Sequence, residues 1–147
     1  MYKKILVATD GSKLSGKAVA QAIDLAGMLG AKLTAFYASP DYPLPVYAEG
    51  VAYQPVPRKA YAASCAKEAD AILGPIAEKA KAAGVEFNAV HAMSATPWEA
   101  ILAAARKNKC EAIVMASHGR RGVSALLLGS ETQKILTHSK IPVLVVR

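Results

Sequence analysis

The hydrophobic positions of the chain form short continuous runs, and the longer stretches between them repeat apolar residues at helical spacing. Runs of this length, rich in Val, Ile, Leu and Ala, are typical of strands buried on both faces of a parallel sheet. They predict five strands, over residues 4–9, 32–38, 85–92, 111–116 and 142–146. The intervening stretches predict helices that begin near residues 15, 58, 96 and 130 and end near residues 30, 83, 107 and 138.

Residues with special backbone or capping behaviour mark the ends of these helices. Gly30 is expected to end the first helix, and the Gly-Pro pair at 74–75 predicts a kink or a break in the second. Residues 96–99 combine an N-cap threonine, a first-turn proline and a glutamate, which is the pattern of a capping box. Ser130 and Gln133 predict a second capping box at the last helix.

Strands and helices alternate along the whole chain, which predicts a single α/β domain over residues 1–147. We expect a doubly wound, Rossmann-like parallel sheet of five strands in the order 3-2-1-4-5, with helices on both faces. Ligands of such folds bind outside the carboxyl ends of the strands, where the strand order reverses. That point lies between the first strand, followed by Asp10, and the fourth, which ends at Ala116. The two strand ends therefore define one crevice.

Residues 39–57 differ in composition from the rest of the chain. They contain five of the eight prolines and three of the six tyrosines, which excludes a regular helix or a central strand. A connection of this length is usually functional or disordered. Its aromatic side chains are compatible with a lid over a site, with a surface for a partner subunit, or with simple ordering on the protein surface.

Composition and charge narrow the class of protein. A hydrophobic fraction of 53% and a charged fraction of 20% are typical of a globular chain, and no apolar run approaches the ~18 residues of a membrane span. The N-terminus lacks a signal-peptide pattern, and Cys65 and Cys110 have neither CxxC nor metal-ligand spacing. We therefore expect a cytoplasmic protein with reduced cysteines. The net charge of +7 is spread along predicted helices, which does not favour nucleic acid as a partner.

The stretch with the most distinctive chemistry follows the fourth strand. The apolar run stops at residues 117–119, Ser-His-Gly, and a Gly-Ser pair at 129–130 precedes the last helix. A strand, a glycine-containing loop and a helix N-terminus direct unpaired N–H groups and the positive end of a helix dipole at one point, which suits a phosphate. The cations of Arg120 and Arg121 would reinforce this. A plain structural turn would show the same pattern, and Asp10 could be a turn-capping carboxylate.

Four segments of the chain together form a specific pattern. They are the opening Lys-Ile-Leu-Val-Ala-Thr-Asp-Gly-Ser, the Ser-His-Gly-Arg loop, Leu-Leu-Leu-Gly-Ser and the closing Pro-Val-Leu-Val-Val-Arg. With them the whole chain resembles the universal stress protein family (UspA-like), of the adenine-nucleotide α-hydrolase-like superfamily. In ATP-binding members the phosphate motif is Gly-x2-Gly-x9-Gly-Ser/Thr. Here Ala116 replaces the first glycine, and the motif continues with Gly119, Gly129 and Ser130.

The resemblance implies a nucleotide site whose residues have separate roles. Thr9 and Asp10 would lie beside the adenine and ribose, and the backbone of Ala38 would face the edge of the base. Met115 and Ala116 would approach the base and ribose. The phosphates would be surrounded by Gly119, Arg120, Gly129, Ser130 and Glu131, and the predicted site also includes Ser117 and His118. The ligand would be ATP or AMP, with Mg²⁺ or Mn²⁺ held through the phosphates, and neither catalytic nor direct metal-binding residues are expected.

The resemblance also implies a homodimer that acts as a regulatory module in stress response rather than as an enzyme. Pairing through the last strand would cover an apolar edge formed by Val143, Leu144, Val145 and Val146. Two other functions stay open. One is a dimeric interaction module with an unknown protein partner and a nucleotide site degraded at Ala116, and the other is a weak ATPase. The Ala116 methyl group could crowd the ribose or forbid a left-handed backbone, or the site could tolerate it.

Overall fold

The computed structural model describes residues 1–53, 56–120 and 128–147, so the predicted contribution of Arg121 lies outside the described residues. The strands are β1 (Lys4–Ala8), β2 (Lys32–Ser39), β3 (Val46–Ala48), β4 (Val51–Tyr53), β5 (Phe87–Met93), β6 (Ala112–Ala116) and β7 (Val143–Val146). The helices are α1 (Lys13–Leu29), α2 (Arg58–Ala82), α3 (Pro97–Lys107) and α4 (Ser130–His138).

Five parallel strands form the main sheet, in the order β5-β2-β1-β6-β7. The strand β1 lies at the centre, where Val7 is paired with Ala35 of β2 and with Val114 of β6. When the separate hairpin of β3 and β4 is left out of the count, this is the predicted order 3-2-1-4-5. The strand order therefore reverses between β1 and β6, as expected.

The helices cover both faces of the sheet because the central strands are apolar on both sides. In β1, Ile5 and Val7 pack into the core beneath α1 and α2, whereas Leu6 and Ala8 pack into the core beneath α3 and α4. This alternation follows from the two-residue period of a strand. The predicted α/β class, with helices on both faces, is confirmed.

The helix α1 begins directly after the turn that follows β1. Its N-cap is Ser12, whose side chain accepts a hydrogen bond from the Ser15 N–H at 3.2 Å. The helix starts at Lys13, two residues earlier than the sequence predicts, and ends as predicted at Gly30, where φ is 61°. This short connection directs the N-terminus of α1 toward the carboxyl edge of the sheet.

The sequence predicts a kink or a break at Gly74-Pro75; α2 is continuous through Pro75, so the break is wrong. Proline leaves the carbonyl of Ala71, four residues earlier, without its helical donor. Ala71, Gly74 and Pro75 are all exposed, and that carbonyl can bind water instead. The buried residues Leu73 and Ile76 hold the helix against the sheet on either side of the Gly-Pro pair.

The two predicted capping boxes are not formed. At α4 the N-cap is Gly129 rather than Ser130, and the Gln133 amide donates to the Leu128 carbonyl at 2.8 Å. At α3 the Thr96 hydroxyl donates to the Glu99 carboxylate at 3.1 Å and makes no bond to a backbone N–H. The first N–H groups of these two helices are therefore not satisfied by the predicted capping side chains.

Residues 39–57 include a hairpin that the sequence did not predict. The strands β3 and β4 are antiparallel and form a two-stranded sheet of their own. Glu49 and Gly50 connect them with φ values of 52° and 75°, as a tight hairpin turn requires. The start of the segment is fixed by Tyr61, whose hydroxyl donates to the carbonyls of Pro40 and Asp41 at 2.8 and 3.1 Å.

Two further observations concern the helices and the cysteines. Among the helices of the described residues, none combines the length and the apolar character needed to cross a membrane. Cys65 and Cys110 are buried and unbonded to each other, and burial raises the pKa of the Cys110 thiol. Both cysteines therefore pack as small apolar residues, in agreement with their lack of a motif.

Candidate functional site

A cavity of about 760 Å³ lies at the carboxyl edge of the sheet, at the point where the strand order reverses. Its wall is formed by the ends of β1, β2 and β6 together with the starts of α3 and α4. The predicted site residues that line it are Thr9, Asp10, Ala38, Met115, Ala116, His118, Gly119, Arg120, Gly129, Ser130 and Glu131. Their shared position is observed, whereas their binding of a nucleotide stays a prediction.

Ser117 is the predicted site residue that does not line the cavity. It is buried under the loop, where its N–H donates to the Val146 carbonyl at 2.8 Å and its carbonyl accepts from the Gly129 N–H at 2.7 Å. Its hydroxyl lies 3.0 Å from Nδ1 of His118. Ser117 therefore links β7, the loop after β6 and the start of α4 by hydrogen bonds. It stabilises the cavity wall without lining the cavity.

The Asp10 carboxylate connects the turn after β1 with the loop after β6. One oxygen accepts from the Ser12 N–H at 2.9 Å, and the other accepts from the Arg120 N–H at 2.7 Å. Burial of the carboxyl opposes its ionisation, but hydrogen bonds from Ser12, Arg120 and Ser15 outweigh this and lower the pKa of Asp10. Asp10 is thus both a turn cap and a residue of the cavity wall.

The Arg120 side chain extends from the loop toward α2. Its Nη1 lies 3.4 Å from Oε1 of Glu68, and both side chains are about half exposed. A Cβ atom added to Gly11 would come within 2.9 Å of Nη2 of Arg120, so the guanidinium lies directly on the Gly11 backbone. Gly11 also has a φ of +77°, which favours glycine at this turn.

Two glycines allow the loop to pass close to its neighbours. A Cβ atom at Gly119 would overlap the Asp10 carboxylate. At Gly129 it would lie 3.1 Å from Cα of His118 and 3.3 Å from the Ser117 carbonyl oxygen. Because φ is −60° at Gly129, the requirement there is for space rather than for a left-handed backbone. Packing therefore explains why both positions of the predicted motif are glycine, since a Cβ atom at either would collide with neighbouring atoms.

The methyl group of Ala116 does not require an unusual backbone. The non-glycine residues with positive φ in the described part of the chain are Glu49 and Lys109, so Ala116 has an ordinary strand conformation. Ala116 is buried and belongs to the core cluster beneath α1, while its carbonyl accepts from the buried Thr132 hydroxyl at 3.1 Å. The concern about a left-handed backbone at this position is therefore removed.

The start of α4 presents polar groups at the cavity. Ser130 is exposed, and its side chain makes no capping hydrogen bond. The first N–H groups of a helix have no partner within the helix, so they are available to a ligand. The Glu131 carboxylate is directed to α3, where it accepts from the Trp98 N–H at 2.8 Å, and its other oxygen lies 3.8 Å from Nζ of Lys134. Glu131 thus joins the N-termini of two helices.

Sequence reasoning missed several residues of the cavity wall. They are Ala8, Ser15, Phe36, Tyr37, Pro40, Asp41, Ser94, Ala95, Pro97, Ile101 and Thr132. Pro40, Asp41, Ser94 and Ala95 directly follow β2 and β5. Their position after parallel strands is the feature that could have identified them, since all such ends meet at one edge of the sheet.

The fold and the cavity together define a class of protein. A doubly wound parallel sheet with a cavity at its switch point, walled by a glycine-containing loop and a helix N-terminus, is typical of α/β proteins that bind a small ligand. Within that class, this chain belongs to the universal stress protein family, whose family model matches residues 1–147.

Individual relatives agree with this assignment. The chain is 31% identical over 150 residues to universal stress protein MJ0531 of Methanocaldococcus jannaschii, covering 100% of this chain and 83% of the relative. A solved universal stress protein in complex with cAMP is 27% identical, with a TM-score of 0.74 and coverage of 99% and 97% of the two chains. The Archaeoglobus fulgidus protein in complex with dAMP is 17% identical, with a TM-score of 0.67 and coverage of 99% and 98%, a likeness of fold.

Proposed function

We propose that this protein binds an adenine nucleotide in the cavity between the ends of β1 and β6. The observation that carries the proposal is the meeting of Gly119, Gly129 and the exposed start of α4 at one wall of the cavity. The unpaired first N–H groups of α4 and the positive end of its dipole suit a phosphate group. Phe36, Ile101 and Met115 also line the cavity, and they offer an apolar surface to a purine.

The relatives support the choice of an adenine ligand. The solved relatives with bound cAMP and dAMP share the fold of this chain over nearly its whole length. Both ligands contain adenine, and each of them carries a single phosphate group. We infer that AMP and ATP are both candidate ligands, with adenine and the first phosphate providing the shared contacts.

A divalent cation would be held by the phosphates rather than by a protein cage. Among residues 1–53, 56–120 and 128–147, no group of three or more His, Cys, Asp or Glu side chains is placed to bind a metal. Magnesium commonly keeps several waters and is bound through phosphate oxygens. Mg²⁺ or Mn²⁺ would therefore accompany ATP, and nucleotide without metal is expected to bind less tightly in the triphosphate case.

We propose a regulatory role in stress response, in the cytoplasm, for a homodimer formed through β7. Family membership supports the stress-related role. The strand β7 lies at the edge of the sheet, with Leu144 exposed, so a second copy could cover it by strand pairing. Asp10 and Glu131 accept structural hydrogen bonds, which favours a binding module over an ATPase.

A second candidate function is protein interaction without nucleotide. The observation in its favour is the segment around β3 and β4, where Leu44, Tyr47 and Val51 are exposed. Exposed apolar side chains on a two-stranded hairpin are compatible with a partner surface. In this alternative the cavity would stay without nucleotide.

The test of nucleotide binding compares two variants that each lose one hydroxyl from α4. In Ser130→Ala the hydroxyl at the cavity is removed, and in Thr137→Ala the hydroxyl that bonds the Gln133 carbonyl is removed. Isothermal titration calorimetry with AMP and Mg-ATP should show a loss of about 5–10-fold in affinity for the first variant, as expected for about 1 kcal/mol from one hydrogen bond. The Thr137→Ala variant should bind like the unmodified protein.

Equal affinity in both variants, or absence of binding by all three proteins, would contradict the proposed site. Gly129→Arg is a less specific test, because a side chain there would meet the backbone of His118 as well as block the cavity. A loss of binding in Gly129→Arg would therefore not separate a blocked cavity from a distorted loop. Ser130→Ala leaves that packing unchanged.

A further inference from the structure

The Glu131 side chain places a negative charge beside the proposed phosphate position. Glu131 is the second residue of α4 and follows Ser130, and both residues line the cavity. Its Oε2 accepts from the N–H of Trp98, in the first turn of α3, at 2.8 Å. This bond holds the carboxylate between the N-termini of two helices, close to the unpaired N–H groups of α4 that suit a phosphate.

Two other carboxylates line the cavity in the described part of the chain, and they belong to other strand ends. Asp10 follows β1, where its oxygens accept from the backbone N–H groups of Ser12 and Arg120. Asp41 follows β2, which is two strand spacings of about 4.8 Å each from β6. Glu131 is therefore the carboxylate that lies on the same helix turn as the proposed phosphate donors.

Lys134 compensates the Glu131 charge only in part. Its Nζ lies 3.8 Å from Oε1 of Glu131, and the two side chains are 50% and 40% exposed. Exposed ion pairs of this kind are weak, and salt screens them. Lys134 does not line the cavity, whereas Glu131 does, so the carboxylate is the nearer of the two charges to a ligand.

We propose that Glu131 determines specificity for the charge of the nucleotide, disfavouring a triphosphate whose charge is not neutralised by a divalent cation. This inference rests on the proposed nucleotide function. Metal-free ATP carries about four negative charges at pH 8, and a bound Mg²⁺ reduces this to about two. The repulsion between a fixed carboxylate and a ligand grows with the charge of the ligand. Glu131 therefore opposes metal-free ATP more than it opposes Mg-ATP.

This discrimination requires no change of partner for Glu131. The hydrogen bond to Trp98 and the ion pair with Lys134 stay in place with either form of ATP, so they do not enter the comparison. The two forms differ in the charge that the carboxylate meets. A cation held by the phosphate oxygens and water lowers that charge without taking Glu131 as a ligand.

The experiment measures the affinity of the full chain for ATP in EDTA and for ATP in excess Mg²⁺, by calorimetry at pH 8 and at matched, low ionic strength. Glu131→Gln removes the charge and keeps an acceptor oxygen for the Trp98 N–H. Both affinities should rise, and that for metal-free ATP should rise more. The ratio of the Mg-ATP affinity to the metal-free affinity should therefore fall about three- to fivefold relative to the unmodified protein.

Two further variants separate the charge of Glu131 from its hydrogen bond. Glu131→Asp keeps the charge but shortens the side chain, so it should weaken the bond to the Trp98 N–H and retain most of the ratio. Glu99→Gln removes a charge from an exposed position in the first turn of α3, outside the cavity wall. It should change the ratio by less than about 1.5-fold, because the solvent screens that charge.

The possible outcomes distinguish this inference from the proposed function. A ratio that Glu131→Gln leaves unchanged, or that Glu131→Asp or Glu99→Gln lowers equally, overturns the inference alone. Binding of AMP without binding of either form of ATP also overturns it, since no triphosphate then enters the site. If AMP and both forms of ATP fail to bind at millimolar concentration, the proposed function fails and this inference fails with it.

Discussion

At the scale of single residues, Ala116 is the position where the chain departs from the glycine-containing phosphate motif. Its methyl group belongs to the core cluster beneath α1, and its backbone has an ordinary strand conformation. Its carbonyl is occupied by Thr132. We therefore expect the alanine to be compatible with a ligand in the cavity, and its side chain contributes to the packing of β6.

Replacement of Ala116 by glycine should change stability more than binding. We expect a loss of about 1–2 kcal/mol in the free energy of unfolding, from the lost methyl group and the added backbone freedom. Nucleotide affinity should change less than about twofold. Urea unfolding and calorimetry measure the two quantities, with Ala112→Gly at the far end of β6 as the matched control. A large gain in affinity in Ala116→Gly alone would show that the methyl group obstructs the site.

Asp10 predicts a pH dependence of stability. Its folded-state pKa lies below the ordinary value of about 3.9, so its ionised form stabilises the fold above that value, and the contribution is lost as the pH falls through the folded pKa. Asp10→Asn should cost about 1 kcal/mol at pH 7, because the amide has a single acceptor oxygen and cannot accept from both the Ser12 N–H and the Arg120 N–H.

The measurement is urea unfolding of Asp10→Asn and of the unmodified protein at pH 7, 5 and 3. The difference in stability between them should be present at pH 7 and 5 and should shrink at pH 3. Asp24→Asn, an exposed position on α1, provides the control for loss of one charge. A difference that persists unchanged at pH 3 would contradict the role given to the Asp10 carboxylate.

Some residues of the site could be predicted from the sequence and others could not. Asp10 and Gly119 follow apolar strands, and the alternation of strands and helices places such ends together. Glu68 and Glu131 act through contacts that join distant segments: Glu68 reaches Arg120, and Glu131 accepts from the Trp98 N–H. A helical glutamate looks like any solvated charge in the sequence, so only tertiary structure reveals these partners.

At the scale of elements, α4 is held to β6 by a buried hydroxyl. Thr132 is 2% exposed and donates to the Ala116 carbonyl at 3.1 Å. Thr132→Val keeps the shape and removes the donor, so we expect a loss of about 1–3 kcal/mol in the free energy of unfolding, because a buried carbonyl is left unsatisfied. Thr137→Val removes an exposed hydroxyl from the same helix and should cost far less. Equal losses in chemical denaturation would contradict this anchoring.

The elements that were predicted wrongly share a physical cause. Local sequence at Gly74-Pro75 favours a break, but the burial of Leu73 and Ile76 keeps α2 continuous. The capping patterns also fail: Glu131 of α4 accepts from the α3 N-terminus, and the Gln133 amide donates to the Leu128 carbonyl instead of closing a box. Hydrophobic period predicted the elements of the main sheet and its helices but not the hairpin of β3 and β4, whereas packing decided how the elements end.

At the scale of the whole molecule, the open edge of the sheet predicts an assembly. Leu144 of β7 is 46% exposed, and Leu136 on α4 is 43% exposed. Leu144→Glu should convert the proposed dimer to a monomer, because a charge on the edge strand opposes strand pairing, while Leu136→Glu should leave it dimeric. Sedimentation velocity measures the mass of each. Truncation of residues 143–147 is a poorer test, since Val146 is buried in the core.

Two outcomes would contradict this interface. One is a monomer in the unmodified protein at high concentration, and the other is a dimer that Leu144→Glu does not disturb. A dimer disrupted by Leu136→Glu instead would place the interface on α4.

The most direct test of the central claim is native mass spectrometry of the purified protein, with and without added AMP or Mg-ATP. We expect one adenine nucleotide per chain, either carried through purification or bound on addition, because the cavity at the ends of β1 and β6 has the walls that such a ligand needs. A protein that stays without nucleotide at millimolar AMP and Mg-ATP would contradict it. The function would then be sought in partners of the exposed hairpin.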